Sequence, residues 1–367
     1  MLYTATCGAM RAHSGLRRLR RPFSTLPSPL PIPYIHQSTA PGFPTQLYST
    51  GPDTFLADIH TLWTPRGARG VYGGHVLATA MLAAERTLPP ACAFPMHSLH
   101  GYFLRPGNSA LPTTYHVERL REGRSFCTRS VTVRQGSEAI FTLLCSFHAQ
   151  EPQAVLGHQV QMPACPGPAE LLERAGARSG GASLAAQAQL PLRTLPCLPR
   201  DGATPEARWP ARYLAWMECA PLPPPTPASA HLHRAALAFA ADWGIGVTSL
   251  LPYNLQWNSP HLSIAASLDH AMYFHDSLGG GGGSAAEGGA QAQAQAQVAS
   301  PIRRHPSAPP LPAGLCAAPP QHADRFVLFE MESSVLRGSR GMNSCRIWAQ
   351  DGTLLCTAVQ ESLLRAR

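Results

Sequence analysis

Apolar positions along the chain sort into two kinds of segment that recur in the same order. From Gly74 to about Thr87 the pattern predicts a helix, with Ala80, Met81 and Ala84 on its apolar face and Pro89-Pro90 ending it. Four extended runs follow, His97 to Leu104, Thr114 to Leu120, Ser125 to Val133 and Ala139 to His148. Arg105-Pro106-Gly107, Arg121-Glu122-Gly123 and Gln135-Gly136 separate them. Turn residues between β-rich runs predict consecutive antiparallel strands. After a stretch rich in Pro, Ala and Gly, with one short helix expected at Ala169 to Ala175, the order returns. A helix is predicted over 233–242, a strand around Ser263 to Phe274, and further strands around Phe326 to Ser334, Arg340 to Ala349 and Thr353 to Leu364.

The chain therefore reads as an internal duplication. His97-Ser98-Leu99-His100-Gly101-Tyr102-Phe103 echoes the run from Ala266 to Phe274, and Gln135-Gly136 echoes Asp351-Gly352 as the turn before the last strand. This divides the sequence into an Arg-rich leader (1–40), an N-terminal repeat (41–150), a connector (151–230) and a C-terminal repeat (231–367). An insertion over 276–323 holds a Gly run, an Ala-Gln repeat from Ala290 to Gln297 and a Pro-rich tail; with almost nothing to bury, it is expected to be disordered. The class expected is α+β, each repeat a helix against an antiparallel sheet.

Composition narrows the chemistry. The formal charge is +8, and five Arg (Arg11, Arg17, Arg18, Arg20, Arg21) precede the first acidic residue, Asp53, so the body carries 8 − 5 = +3. That balance gives no argument for nucleic acid and suits a small anionic substrate. No Lys occurs, which excludes a Schiff-base lysine and a phosphate-loop lysine and makes Gly279 to Gly283 a linker. The 10 Cys lack metal-ligand spacing and predict reduced, mostly buried thiols with no zinc and no cofactor. His231-x-His233 and His97-x-x-His100 read as structural pairs. No apolar run is long enough for a membrane span of roughly 18 residues. The leader, with Arg20-Arg21-Pro22-Phe23-Ser24-Thr25, resembles a mitochondrial presequence, whereas Leu364-Arg365-Ala366-Arg367 is not an S-K-L type address.

The residue that asks for an explanation is Asp242, which interrupts the apolar run from Leu237 to Ala241. A buried carboxylate costs several kcal/mol, roughly, unless it is bonded or paired. Two readings stay open: a cap for the Gly244-Ile245-Gly246 turn, or an active-site carboxylate beside the strand carrying Ser267.

Several stretches together resemble the acyl-CoA thioesterase II family, whose eukaryotic members include peroxisomal enzymes. They are Val71-Tyr72-Gly73-Gly74-His75, the run from His97 to Gly107, the run from Ser267 to His275, Arg337 to Gly341, Gln350-Asp351-Gly352 and Val359-Gln360-Glu361. The resemblance implies a double hotdog fold, two repeats each with a long helix wrapped by an antiparallel sheet. It implies hydrolysis of fatty acyl-CoA to free acid and CoA, in fatty acid metabolism, in an organelle matrix, peroxisomal by likeness. Carried over by position, the family's water-orienting side chains fall on Asp242, Ser267 and Gln360: a carboxylate as general base, a hydroxyl and an amide to hold the water. Gly73 and Gly74, at a helix start, become candidate oxyanion donors, with His75 beside them. His75 stands where most relatives have Gln, and Ala241 where many have Ser. Arg105 and Arg124, in a cluster with Arg119, Arg121 and Arg129, are candidates for the phosphates of CoA. Asp269 competes with Asp242 as a buried carboxylate, and His270 and His275 read as packing residues. Two rival functions share the fold, a hydratase or dehydratase and a non-catalytic acyl-CoA binding protein, and the likeness leaves room for a homo-oligomer.

Overall fold

Among the described residues the strands pair into one antiparallel sheet, and its order shows the duplication directly. The strands are β1 (Leu47–Gly51), β2 (Thr54–Ala57), β3 (Met96–Phe103), β4 (Thr113–Glu122), β5 (Phe126–Gln135), β6 (Glu138–His148), β7 (Leu192–Pro196), β8 (Arg212–Cys219), β9 (Leu262–Ser267), β10 (Asp269–Phe274), β11 (Val327–Arg337), β12 (Arg340–Trp348) and β13 (Leu354–Ala366). They run in the order β1-β2-β4-β5-β6-β3-β10-β13-β12-β11-β8-β7, with β9 pairing β13. Read outward from the β3–β10 junction, β6, β5, β4, β2 and β1 on one side correspond to β13, β12, β11, β8 and β7 on the other. The protein is represented by a computed structural model that describes residues 47–57, 62–65, 68–89, 94–151, 156–179, 192–197, 210–219, 222–223, 226–257, 259–275 and 326–367. The expected leader (1–40) and the insertion (276–323) lie outside these residues.

Strand alternation produces the core. In β5 every second side chain, from Cys127 through Arg129, Val131 and Val133 to Gln135, is buried, and in β13 the inward face runs through Ala358, Gln360, Ser362 and Leu364. Against this face lie α1 (Gly73–Glu85) and α3 (Ala230–Ala241), one for each half. Both are Ala-rich and buried over nearly their whole length, because small side chains let them pack on each other and on the sheet at once. They run antiparallel, since Tyr72 and Gly74 at the start of α1 meet Phe239 and Asp242 at the end of α3, and Glu85 at the far end faces Arg234 at 3.5 Å.

Three expectations change here. The stretch read as a connector carries, besides the short helix expected there (α2, Pro168–Ser179), two sheet strands, β7 and β8; Trp216 of β8 donates to Pro166 O at 2.8 Å. β1 and β2 also form before the first helix, where no strand was expected. Third, α3 with the 3-10 segment Ile245–Tyr253 after it makes Ala230–Tyr253 long and apolar enough to cross a membrane by composition alone. Most of it is buried inside the protein, where its apolar side chains face α1 and the sheet.

The Arg cluster is largely committed to the fold. Arg129 is fully buried, its Nε donating to Thr87 Oγ1 at 2.9 Å and its Nη2 to Glu122 at 2.7 Å. Arg119 pairs with Asp53 at 2.9 Å. Because Arg129 touches Thr87, just past the C-terminus of α1, the β4–β5 turn with Arg121 and Arg124 lies at the end of α1 away from Asp242. The 13 residues of α1 put about 20 Å between the two ends.

Candidate active site

The site forms where the two halves exchange helix ends. Asp242 is the residue that closes α3, where the helix dipole would disfavour a carboxylate, but it projects onto the positive end of α1. Its Oδ2 accepts the Gly74 N–H at 2.8 Å. The α1 N-cap, Tyr72, offers no side-chain cap of its own, so Asp242 caps the helix of the other half instead of its own Gly244-Ile245-Gly246 turn. The two glycines are needed for this approach. A Cβ on Gly73 would lie 2.8 Å from Asp242 Oδ2 and 2.9 Å from the Phe103 ring; one on Gly74 would lie 2.5 Å from Phe239 O. Tyr72 donates to that same Phe239 oxygen at 2.6 Å, and burial, reinforced by the Asp242 charge, pushes its phenol well above its ordinary range. Trp63, Tyr72, Phe239 and Trp243 pack edge to face around the carboxylate's neighbours, with Tyr72 and Phe239 5.0 Å apart.

Ser267 and Gln360 come to the other carboxylate oxygen from two different strands. Ser267 Oγ donates to Asp242 Oδ1 at 3.2 Å, Gln360 Nε2 donates to the same oxygen at 3.3 Å, and Gln360 Nε2 also bonds Ser267 Oγ. The three side chains that the resemblance singled out thus form one hydrogen-bonded group. Gln360 is almost completely buried, so its amide faces the interior and not solvent.

A β-bulge makes this meeting possible. β9 pairs with β13 through Ser267↔Ser362, whereas β10 pairs with it through Ala271↔Val359. Four steps along one strand therefore match three along the other, and one extra residue is accommodated at Leu268-Asp269. The Leu268 N–H still donates to Glu361 O at 2.9 Å, and Leu268 O accepts the Phe103 N–H at 2.9 Å. The Asp269 carboxylate accepts the Glu361 N–H at 2.7 Å. Asp269 is therefore a ladder-completing acceptor within the bulge, which accounts for it without a part in the carboxylate group. The predicted strand 263–274 is two strands for the same reason.

The remaining candidates are placed less uniformly. His75 is buried in α1 against Phe239, with ring centroids 6.5 Å apart, and burial lowers its imidazole to about 4. Arg105 sits in the loop after β3, ion-paired with Glu138 at 2.9 Å and donating to Ala139 O at 3.0 Å. That loop packs beside the start of α1, since Val71 N–H donates to Gly107 O at 2.9 Å. Arg124 is exposed at the far end of α1. His100 meets the Tyr273 hydroxyl at 3.3 Å, and His275 meets Thr357 Oγ1 at 2.8 Å, both on the outer side of the sheet. Sequence reading missed the Gly74 bond and the bulge; the Gly73-Gly74 pair was the only local signal that another chain segment comes close here.

The low His75 value carries a stability prediction. Its folded-state pKa lies below the ordinary 6.5, so the folded chain refuses a proton that the unfolded chain accepts. The stabilisation is complete above pH 6.5 and is lost as pH falls toward 4, amounting to about 2 kcal/mol by pH 5. His75→Gln should flatten this loss, measured as urea midpoints from pH 7.5 to 4.5. His97, His270 and His275, also lowered by burial, leave a residual slope.

Known proteins share both the sequence and this architecture. A family model described as the acyl-CoA thioesterase N-terminal domain matches residues 60–148, and one described as the C-terminal domain matches residues 313–364. Acyl-coenzyme A thioesterase 8 of Mus musculus is 28% identical over 319 residues, 83% of this chain and 83% of that protein. Peroxisomal acyl-coenzyme A thioester hydrolase 1 of Saccharomyces cerevisiae is 38% identical over 86 residues, 23% of this chain and 24% of its own length. Among solved structures, the acyl-CoA thioesterase II TesB2 from Mycobacterium marinum superposes with a TM-score of 0.58 at 25% identity, covering 88% of this chain and 95% of that one. With both domain models matched in order and the doubled helix-and-sheet unit shared across nearly all of a solved relative, the chain has the double hotdog fold and is similar in both halves to acyl-CoA thioesterases.

Proposed function

We propose that the protein hydrolyses acyl-CoA to a free acid and CoA, with Asp242 as general base and Ser267 and Gln360 holding the attacking water. The observation that carries this reading is the single carboxylate gripped by three donors from three elements: Gly74 N–H on Oδ2, and Ser267 Oγ–H and Gln360 Nε2–H on Oδ1. The Gly74 bond is short and fixes the carboxylate plane. The Oδ1 bonds are long, so Oδ1 is the atom onto which a water is readily drawn. That water attacks the thioester carbonyl carbon while its proton passes to Oδ1; as the C–S bond breaks, the proton goes on to the departing CoA thiolate. Gly74 N–H is committed to the carboxylate, so the oxyanion donor role falls to Gly73 and the positive end of α1. No covalent nucleophile is needed for an already activated thioester.

The test is thiol release from acetyl-, octanoyl- and palmitoyl-CoA by the purified protein. Release from at least one, lowered about 100-fold in Gln360→Ala, supports the reading. Tight binding of all three with no release replaces it with acyl-CoA binding alone, and hydration of an enoyl-CoA with the thioester intact replaces it with the hydratase alternative.

Arg105, at the same end of α1 as Asp242, is our candidate for a CoA phosphate; Arg124 is the weaker one by position. Arg105→Ala should raise KM for acyl-CoA about 3- to 10-fold with kcat unchanged, as removal of uniform binding does, whereas Arg124→Ala should change neither. Stability should hardly respond to the first change, because the Arg105–Glu138 pair is more than half exposed. We assign the protein to an organelle matrix. The yeast relative's name favours the peroxisome and the Arg-rich leader a mitochondrion, which imaging of the tagged full chain separates.

A further inference from the structure

The bulge that aims Ser267 at Asp242 also sets a second side chain against the same group. In a regular strand residues 267 and 270 would point to opposite faces; with one residue bulged out, both turn inward. Continuing the β10–β13 register by one pair from Ala271↔Val359 puts His270 directly opposite Gln360. Both are buried, His270 completely. Neither ring nitrogen of His270 nor Gln360 Oε1 has a hydrogen-bond partner among the described residues, so a buried donor and a buried acceptor are left facing each other across the strand pair.

We propose that His270 is a positioning residue, its imidazole N–H donating to Gln360 Oε1 and so fixing the amide with Nε2 turned to Ser267 and Asp242. A primary amide has two ends, and only one arrangement serves here. Reversed, Oε1 would face the Asp242 carboxylate oxygen, acceptor against acceptor, and the NH2 group would face the imidazole. Burying Oε1 without a donor forfeits its hydration with nothing in return, so the imidazole both satisfies that oxygen and selects the productive amide rotamer. The neutral imidazole suits the role: burial lowers the basicity of His270 against the opposing pull of Asp242, so it serves as an N–H donor and not as a second charge. This inference rests on the hydrolase reading above and deepens it by adding a residue that acts through Gln360.

A double-mutant cycle tests it. His270→Phe keeps a planar ring and removes the donor; it should lower kcat about 10-fold with KM within 2-fold, and His270→Asn, which restores an N–H, should recover part of the loss. In a Gln360→Ala background His270→Phe should cost less than 2-fold. An equal 10-fold cost in both backgrounds overturns the proposal. A readout independent of turnover is the 15N spectrum of the imidazole. His270 should be one neutral tautomer from pH 6 to 8, and its N–H resonance should move in Gln360→Ala. If the parent releases no thiol but the resonance responds, the hydrolase reading falls and the positioning contact stands. If the resonance is indifferent to Gln360, the positioning contact falls whatever the activity.

Discussion

Asp242→Asn should abolish most hydrolysis, lowering kcat about 1,000-fold, roughly 4 kcal/mol of barrier, while KM stays within about 3-fold. The substitution keeps the volume, and its amide oxygen can still accept the Gly74 N–H that now holds Oδ2 at 2.8 Å. The other half of the new amide is then an NH2 facing Ser267 Oγ and Gln360 Nε2, where the carboxylate presented an acceptor. Ser267 can turn to accept, but Gln360 Nε2 meets donor with donor and must swing away. The group therefore loses its base and its water-holding geometry together while α1 keeps its cap. Stability should change by less than about 1 kcal/mol, near the usual value of a helix cap. Thiol release, acyl-CoA binding by calorimetry and thermal melting together check this. Full activity in Asp242→Asn would remove Asp242 as the base, and loss of binding or of folding would make its role structural.

Gly74→Ala should cost about 3 kcal/mol of stability from a single methyl group, with a loss of activity near 100-fold in whatever remains folded. The added carbon would sit 2.5 Å from Phe239 O and 2.7 Å from the Tyr72 ring. The first neighbour is backbone and cannot turn aside, and its oxygen already accepts the Tyr72 hydroxyl. The start of α1 must then lift from the end of α3, which lengthens the Gly74–Asp242 bond as well. Gly157→Ala is the control, since nothing lies within 4 Å of its Cβ and the change should stay within about 0.5 kcal/mol. Urea unfolding of both variants measures the contrast. Equal midpoints for the two would mean that the halves do not approach at Gly74 as described.

Much of the framework was legible along the chain. The helix expected over 74–87 is α1, Gly73–Glu85, and the four runs after it are β3 to β6 within a few residues, because alternation in them is regular and their turns carry Gly and Pro. β7 and β8 were not legible. Leu192–Pro196 ends in a proline, and both strands stand in a Pro- and Ala-rich stretch, so pairing of β8 with β11 and of β7 with β8 supplies what local preference does not. The Arg cluster misled for a similar reason: charge is countable in sequence, but burial against Thr87 is not, and it makes Arg129, a member of that cluster, a structural donor.

The sequence by itself determined the helix-and-strand order, its repetition, and three residues matching a family pattern at positions 242, 267 and 360. Only the tertiary structure decided what those residues do to one another. Asp242 and Gly74 are 168 positions apart, and their bond exists because two Ala-rich helices run antiparallel at contact distance. Ser267, His270 and Gln360 share a face because one residue is bulged out at Leu268-Asp269, with the Asp269 side chain closing the ladder. Periodicity records which side of its own element a residue occupies. It holds no record of the register between elements, and a shift of one residue there reverses which side chains meet.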